Sequence, residues 1–139
     1  MRELGINLEA SVETLEACLQ ECGIAFLFAP QLHPAMKYAG PVRKQLGIRT
    51  IFNLLGPLTN PAGAQRQVLG VPRLELTETI ARVLAMRNAK HCWVVHGQGL
   101  CDLTLTGVTH VTEVHEGQTR SFEIRPEDVG FETAKLESL

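Results

Sequence analysis

Four cysteines, Cys18, Cys22, Cys92 and Cys101, are the first candidates for chemistry, because thiolates hold zinc and thiol pairs form disulfides. Their spacing supports neither. Cys18 and Cys22 lie on one face of a segment with helical periodicity, whereas Cys92 opens a β-like run and Cys101 follows a glycine loop. A structural zinc site takes paired C-x-x-C-type knuckles and no second pair exists, so buried free thiols in a reducing compartment are expected. Gly97-Gln98-Gly99 is too short and wrongly placed to cradle phosphate as a P-loop or dinucleotide loop does. The stretch from His33 to Pro61 is too particular to be explained by core packing. It gathers Lys37, Arg43, Lys44 and Arg49 into a local basic patch punctuated by prolines and glycines.

Regular elements must place these residues. Leu15, Cys18, Leu19 and Cys22 recur at helical spacing between a candidate N-cap, Ser11, and Gly23, so a helix is expected over 11–22. The wholly apolar Ile24-Ala25-Phe26-Leu27-Phe28 reads as a strand buried on both faces, ended by Ala29-Pro30. Pro34 and Pro41 are expected in the first turns of two short consecutive helices, the second closed by Gly47. Thr50 is an N-cap candidate for a short turn over 50–55, stopped by Gly56-Pro57. Residues 67–71 and 91–97 read as strands around a helix at 74–87, and the Glu116-Gly117 turn joins two extended runs as a β-hairpin. Alternating helix and apolar strand in 11–96 implies an α/β fold with a mostly parallel sheet flanked by helices and a hairpin near the C-terminus. The tail, 125–139, is charged and weakly patterned.

Size and charge bound the function. The chain has 139 residues, a formal net charge of −2 and 45% apolar content, enough for one core and no second domain. A pI near 6.2 argues against the basic stripe that dominates affinity for nucleic acid. No apolar run approaches a membrane span and the first residues lack a signal peptide, so a soluble, cytoplasmic protein is expected.

The ordered run His33-Pro34-Ala35-Met36-Lys37, then Val42-Arg43-Lys44-Gln45-Leu46-Gly47-Ile48-Arg49-Thr50-Ile51-Phe52-Asn53-Leu54-Leu55-Gly56-Pro57-Leu58-Thr59-Asn60-Pro61, resembles the central signature of the anthranilate phosphoribosyltransferases. Phe26 to Pro30, Val94-Val95-His96-Gly97 and Leu105-Thr106-Gly107 extend the likeness over almost the whole chain. The resemblance implies that residues 1–139 are an incomplete part of a larger catalytic domain. It also implies transfer of ribosyl 5-phosphate from 5-phosphoribosyl-1-diphosphate to anthranilate in tryptophan biosynthesis, magnesium as cofactor, and a homodimer in the full-length protein.

Residue by residue, Arg43 matches the anthranilate-binding arginine, whose planar fork suits a carboxylate. His33, at a helix start, is expected to line the same pocket or else to cap the helix locally. Ala29, Met36 and Gly56 match pocket-lining positions that admit a flat ring. Cys101 and Asp102 stand where the family carries adjacent Asp and Glu ligands to magnesium. A thiol suits that hard cation poorly, and Asp102 is one methylene shorter than Glu. The family's glycine-rich and Lys-Ser-rich donor loops precede the region matched here, so the isolated chain is expected to be inactive. Two alternatives stand beside this reading. One is an enzyme like pyrimidine-nucleoside phosphorylase, and the other is a non-catalytic binding relative, with nucleic acid as a ligand through the patch at Lys37, Arg43, Lys44 and Arg49.

Overall fold

The computed structural model describes residues 1–33, 36–48 and 50–136, which fall into two units, Met1–Gly56 and Pro57–Leu139. In the first unit, helix α1 (Val12–Glu21) begins where Ser11 is still extended, at φ −64° and ψ 161°, and the Thr14 N–H donates to its Oγ at 3.3 Å. Gly23, at φ 74°, turns the chain just beyond. The strand expected over 24–28 does not form. These residues join no ladder, because every described strand belongs to the second unit and a lone strand leaves its N–H and C=O groups unpaired. Phe26 and Phe28 instead stack on each other, ring centroids 6.5 Å apart.

Helix α2 (Ala29–Leu32) is a single turn with Pro30 in its first positions, and α3 (Met36–Leu46) follows. Pro34 lies outside the described residues. Pro41 does not open a second helix as expected; it sits inside α3, which continues through it with one backbone hydrogen bond fewer. Gly47 closes α3 at φ 63°, its N–H donating to the Arg43 carbonyl at 3.1 Å. Helix α4 (Phe52–Leu58) likewise runs through Gly56 and Pro57, the residues expected to stop it, and ends before the Asn60-Pro61 turn.

The second unit holds the sheet. β1 (Arg66–Gly70), α5 (Leu76–Met86) and β2 (His91–Gly97) form a βαβ unit in which Arg66 pairs with His91 and Gly70 with Val95 in parallel register. β3 (Thr109–His115) and β4 (Gln118–Ile124) add a hairpin, with strand order β1-β2-β3-β4. Glu116 and Gly117 turn it with φ of 49° and 79°, the positive values a two-residue hairpin loop requires. The α/β class with flanking helix and terminal hairpin therefore holds, but the expectation of mostly parallel pairing is corrected. Only β1 and β2 pair parallel among the described strands; β2 with β3 and β3 with β4 pair antiparallel. The physical reason is that residues 24–28, expected to contribute a parallel strand, do not pair, while the hairpin brings two antiparallel ladders.

α5 lays Thr77, Ile80, Ala81 and Leu84 across β2 and β3, on the face that carries Cys92, Val94, Thr112 and Val114. Among the described residues, Leu15 is the only buried apolar side chain of the first unit, and the rest of the core lies in the second. All four cysteines are free, but only Cys92 is buried; Cys18 is half-buried and Cys22 and Cys101 are exposed, which corrects the expectation of uniformly buried thiols. Burial pushes the Cys92 thiol above its ordinary range, so it behaves as an inert apolar group. No described helix is long and apolar enough to cross a membrane.

Candidate functional site

The last turns of α3 bring Arg43 against the start of α4. Arg43 is half-buried, its guanidinium lies over the Phe52 ring at 5.6 Å, and its Nη2 donates to Asn53 Oδ1 at 3.2 Å. Gly47, at φ 63°, ends α3 five residues before α4 begins at Phe52. An open cavity of about 360 Å³ here is lined by Gly40, Arg43, Lys44, Gly47, Ile48 and Asn53. No Asp or Glu pairs with Arg43 among the described residues, so a guanidinium charge faces this cavity without a carboxylate to balance it. A planar donor fork on a half-buried arginine, set over an aromatic ring, is suited to a flat organic acid.

Thr50 is not the side-chain cap expected of it. Its Oγ1 is buried with no hydrogen-bond partner among the described residues, and the capping contact runs the other way, from the Thr50 N–H to Asn53 Oδ1 at 3.0 Å. Asn53 was not among the sequence candidates. The signal that would have found it is an asparagine three residues after a Thr at a helix start, the spacing of a reciprocal cap.

Among the described residues, Ala29, His33 and Gly56 are not part of the lining of the Arg43 cavity. His33 closes α2, its N–H donating to the Ala29 carbonyl at 3.1 Å, and the two residues that follow it, where a helix start was expected, lie outside the described residues. Ala29 is exposed at the first position of α2. Gly56 is half-buried within α4, and a Cβ there would meet nothing within 4 Å, so no close approach demands glycine. Met36 begins α3, but its side chain, like that of Lys37 and the whole of Arg49, lies outside the described residues.

In the second unit the chain leaves β2 through Gln98 and Gly99, both at positive φ, and doubles back so that Gly97 and Leu100 exchange backbone hydrogen bonds of 3.1 and 2.8 Å. The following segment is pressed onto the strand ends. A Cβ on Gly70 would fall 1.6 Å from the Cys101 carbonyl oxygen, and one on Gly97 would fall 2.6 Å from that of Asp102. Two glycines are thus required for the loop to pass. Cys101 and Asp102 are themselves exposed. No group of three His, Cys, Asp or Glu side chains capable of holding a metal occurs among the described residues. Magnesium takes oxygen ligands in a strict octahedron. One exposed carboxylate beside a thiol does not make such a site, so these residues do not fit the ion by themselves.

Sequence reasoning also missed a polar cluster on the sheet face opposite α5. Glu113, 6% exposed, accepts from His91 Nε2 at 2.6 Å, from Trp93 Nε1 at 3.0 Å and from Arg120 Nε. These bonds, led by those from Trp93 and His91, hold its carboxyl at about 2 despite burial. Glu113 on β3 draws its partners from the strands on either side, His91 and Trp93 from β2 and Arg120 from β4, a juxtaposition that no local spacing announces.

The protein-family model "Glycosyl transferase family, a/b domain" matches residues 1–139. The chain belongs to this family. Within it, the a/b domain is 55% identical over 128 residues to the anthranilate phosphoribosyltransferase of Anaeromyxobacter sp. (strain K), covering 92% of this chain and 38% of that protein. It is 50% identical over 139 residues to the anthranilate phosphoribosyltransferase of Methanocorpusculum labreanum, covering 100% of this chain and 41% of that one. Among solved structures, the anthranilate phosphoribosyltransferase of Saccharomyces cerevisiae in complex with PRPP and Mg superposes with a TM-score of 0.86 at 30% identity, over 96% of this chain and 38% of that one. The same yeast enzyme in complex with 4-fluoroanthranilate gives 0.85 at 29% identity, with the same coverage. This a/b-domain chain therefore spans about two fifths of the length of the relatives it matches.

Proposed function

We propose that this chain forms the aromatic-acid-binding part of an anthranilate phosphoribosyltransferase, with Arg43 holding the carboxylate of anthranilate. The observation that carries the reading is half-buried Arg43, its guanidinium set over Phe52, hydrogen-bonded to Asn53, and without a carboxylate partner among the described residues. An anionic ligand would supply the missing charge, and the fork would fix its plane. The likeness to named anthranilate phosphoribosyltransferases across 92% or more of the chain supports the same ligand.

In the proposed reaction the amino nitrogen of anthranilate forms a bond to C1 of the ribosyl 5-phosphate. The bond from C1 to the diphosphate oxygen breaks, the diphosphate leaves with the electron pair, and the amine loses a proton. A carboxylate held by Arg43 presents the neighbouring amine in one orientation, which is a positioning contribution to rate. Ala29, His33, Met36 and Gly56 complete the proposed lining of the aromatic ring's side. Turnover, a cytoplasmic location and a homodimeric state are proposed for a chain of the relatives' full length.

The test is Arg43→Ala in such a chain. Losing a charge-assisted contact of about 1.5–3 kcal/mol raises KM for anthranilate roughly ten- to a hundredfold, while KM for 5-phosphoribosyl-1-diphosphate stays within about twofold. Equal effects on both substrates would assign Arg43 to the fold or to the donor instead.

A further inference from the structure

We infer that Asn53 is a positioning residue that aims the Arg43 guanidinium and keeps its charge available to the substrate. The inference rests on the reading of Arg43 as the carboxylate-binding group. One side-chain oxygen, Asn53 Oδ1, accepts both from Arg43 Nη2 at 3.2 Å and from the Thr50 N–H at 3.0 Å. The first bond reaches across from α4 to α3, and the second ties the same oxygen to the backbone at the start of α4. The guanidinium is thereby fixed to a backbone point rather than to a mobile side chain. Phe52, the preceding residue, supplies a ring face with its centroid 5.6 Å from the guanidinium carbon, a cation–π contact that favours this placement.

The choice of amide over acid is the informative part. Aspartate caps a helix as well as asparagine does, so the bond to Thr50 N–H alone would be served equally by either. Only the bond to Arg43 distinguishes them. A carboxylate at that distance would form an internal ion pair and cancel the charge that a substrate carboxylate needs, whereas a neutral amide oxygen orients Arg43 without neutralising it. Arg43 spends one donor on Asn53 and keeps the remaining fork for a ligand, since five N–H groups are available.

The experiment uses a chain of the relatives' full length, with Asn53→Asp, Asn53→Ser and Arg43→Ala measured against wild type. Asn53→Asp is expected to leave the melting temperature unchanged and to raise KM for anthranilate about tenfold, with KM for 5-phosphoribosyl-1-diphosphate within twofold. Asn53→Ser keeps a neutral capping oxygen but is too short to hold Arg43, and a rise of about threefold is expected; it also serves as the reading if the Asp variant fails to fold. On the Arg43→Ala background, Asn53→Asp is expected to add nothing. An unchanged KM for anthranilate in Asn53→Asp and Asn53→Ser, with Arg43→Ala still raising it, would overturn the inference and leave the reading of Arg43 intact. An unchanged KM in Arg43→Ala would remove the reading itself.

Discussion

Gly70→Ala is the most direct test of how the fold presents the loop after β2. The added Cβ would lie 1.6 Å from the Cys101 carbonyl oxygen, 2.3 Å from its carbonyl carbon and 3.0 Å from its Cα. These are backbone atoms, so no side-chain rotation relieves the overlap. To bring the closest pair to 3.0 Å, the 100–104 segment has to retreat by about 1.4 Å or β1 has to yield. β1 is constrained by its register with β2 from Arg66 to Gly70. The segment is constrained by Thr104, whose N–H donates to Thr109 Oγ1 at 3.0 Å and whose Oγ1 accepts from the Thr106 N–H at 3.0 Å. Forcing one methyl into a packed contact costs roughly 1–3 kcal/mol, which lowers the thermal midpoint by several degrees for a domain of this size. Trp93 is the single tryptophan and lies on β2, so its fluorescence in a urea titration reads the second unit directly. A Gly70→Ala variant within about 0.5 kcal/mol of wild type would refute the claim that the loop is pressed onto the strand ends, because an ordinary surface substitution has that size.

Glu113 offers a pH test. Its folded carboxyl titrates at about 2, below the ordinary value of 4.5, so its contribution to stability is complete above about pH 4.5 and is lost as pH falls toward 2. Melting curves between pH 5 and 2 are expected to drop less steeply for Glu113→Gln than for wild type; parallel curves would mean the three donors do not hold the charged form. Cys101→Asp, in a chain of full length, places a second carboxylate beside Asp102 and is expected to lower the magnesium concentration giving half-maximal activity. No change there would show that the metal is held by groups outside this loop. The isolated 139-residue chain is expected to show no transferase activity and to bind an apolar-surface dye, since Ile24 at 75%, Tyr38 at 84% and Ile48 at 65% exposure leave the first unit poorly covered. Any turnover above background would show that the donor is held without further segments.

Local patterns carried much of the architecture because they act over a few residues. Ser11 and Gly23 bracket α1, Gly47 ends α3, the 66–97 βαβ unit follows its apolar periodicity, and Glu116-Gly117 turns the hairpin. Helix ends around proline were less legible. Pro41 and Pro57 both lie inside helices, because a proline removes one hydrogen bond and the flanking residues decide whether that loss ends the element. The run at 24–28 was misread as a strand for a related reason: its apolar composition says that it wants burial, and pairing depends on a partner that its own residues do not specify.

The sequence by itself determined the order of residues that resembles one enzyme family, the α/β class, and Arg43 as the residue to examine. Those are properties of residue type and near-neighbour spacing. Tertiary structure alone decided that Asn53 Oδ1 joins Arg43 to the Thr50 N–H, that Gly70 and Gly97 clear a path for Cys101 and Asp102, and that His91, Trp93 and Arg120 converge on Glu113. Each of these depends on strand register or on the angle between two helices. Those quantities are set by packing between residues distant in the chain, and a carboxylate or an amide becomes an anchor only once packing has brought its donors within hydrogen-bonding reach.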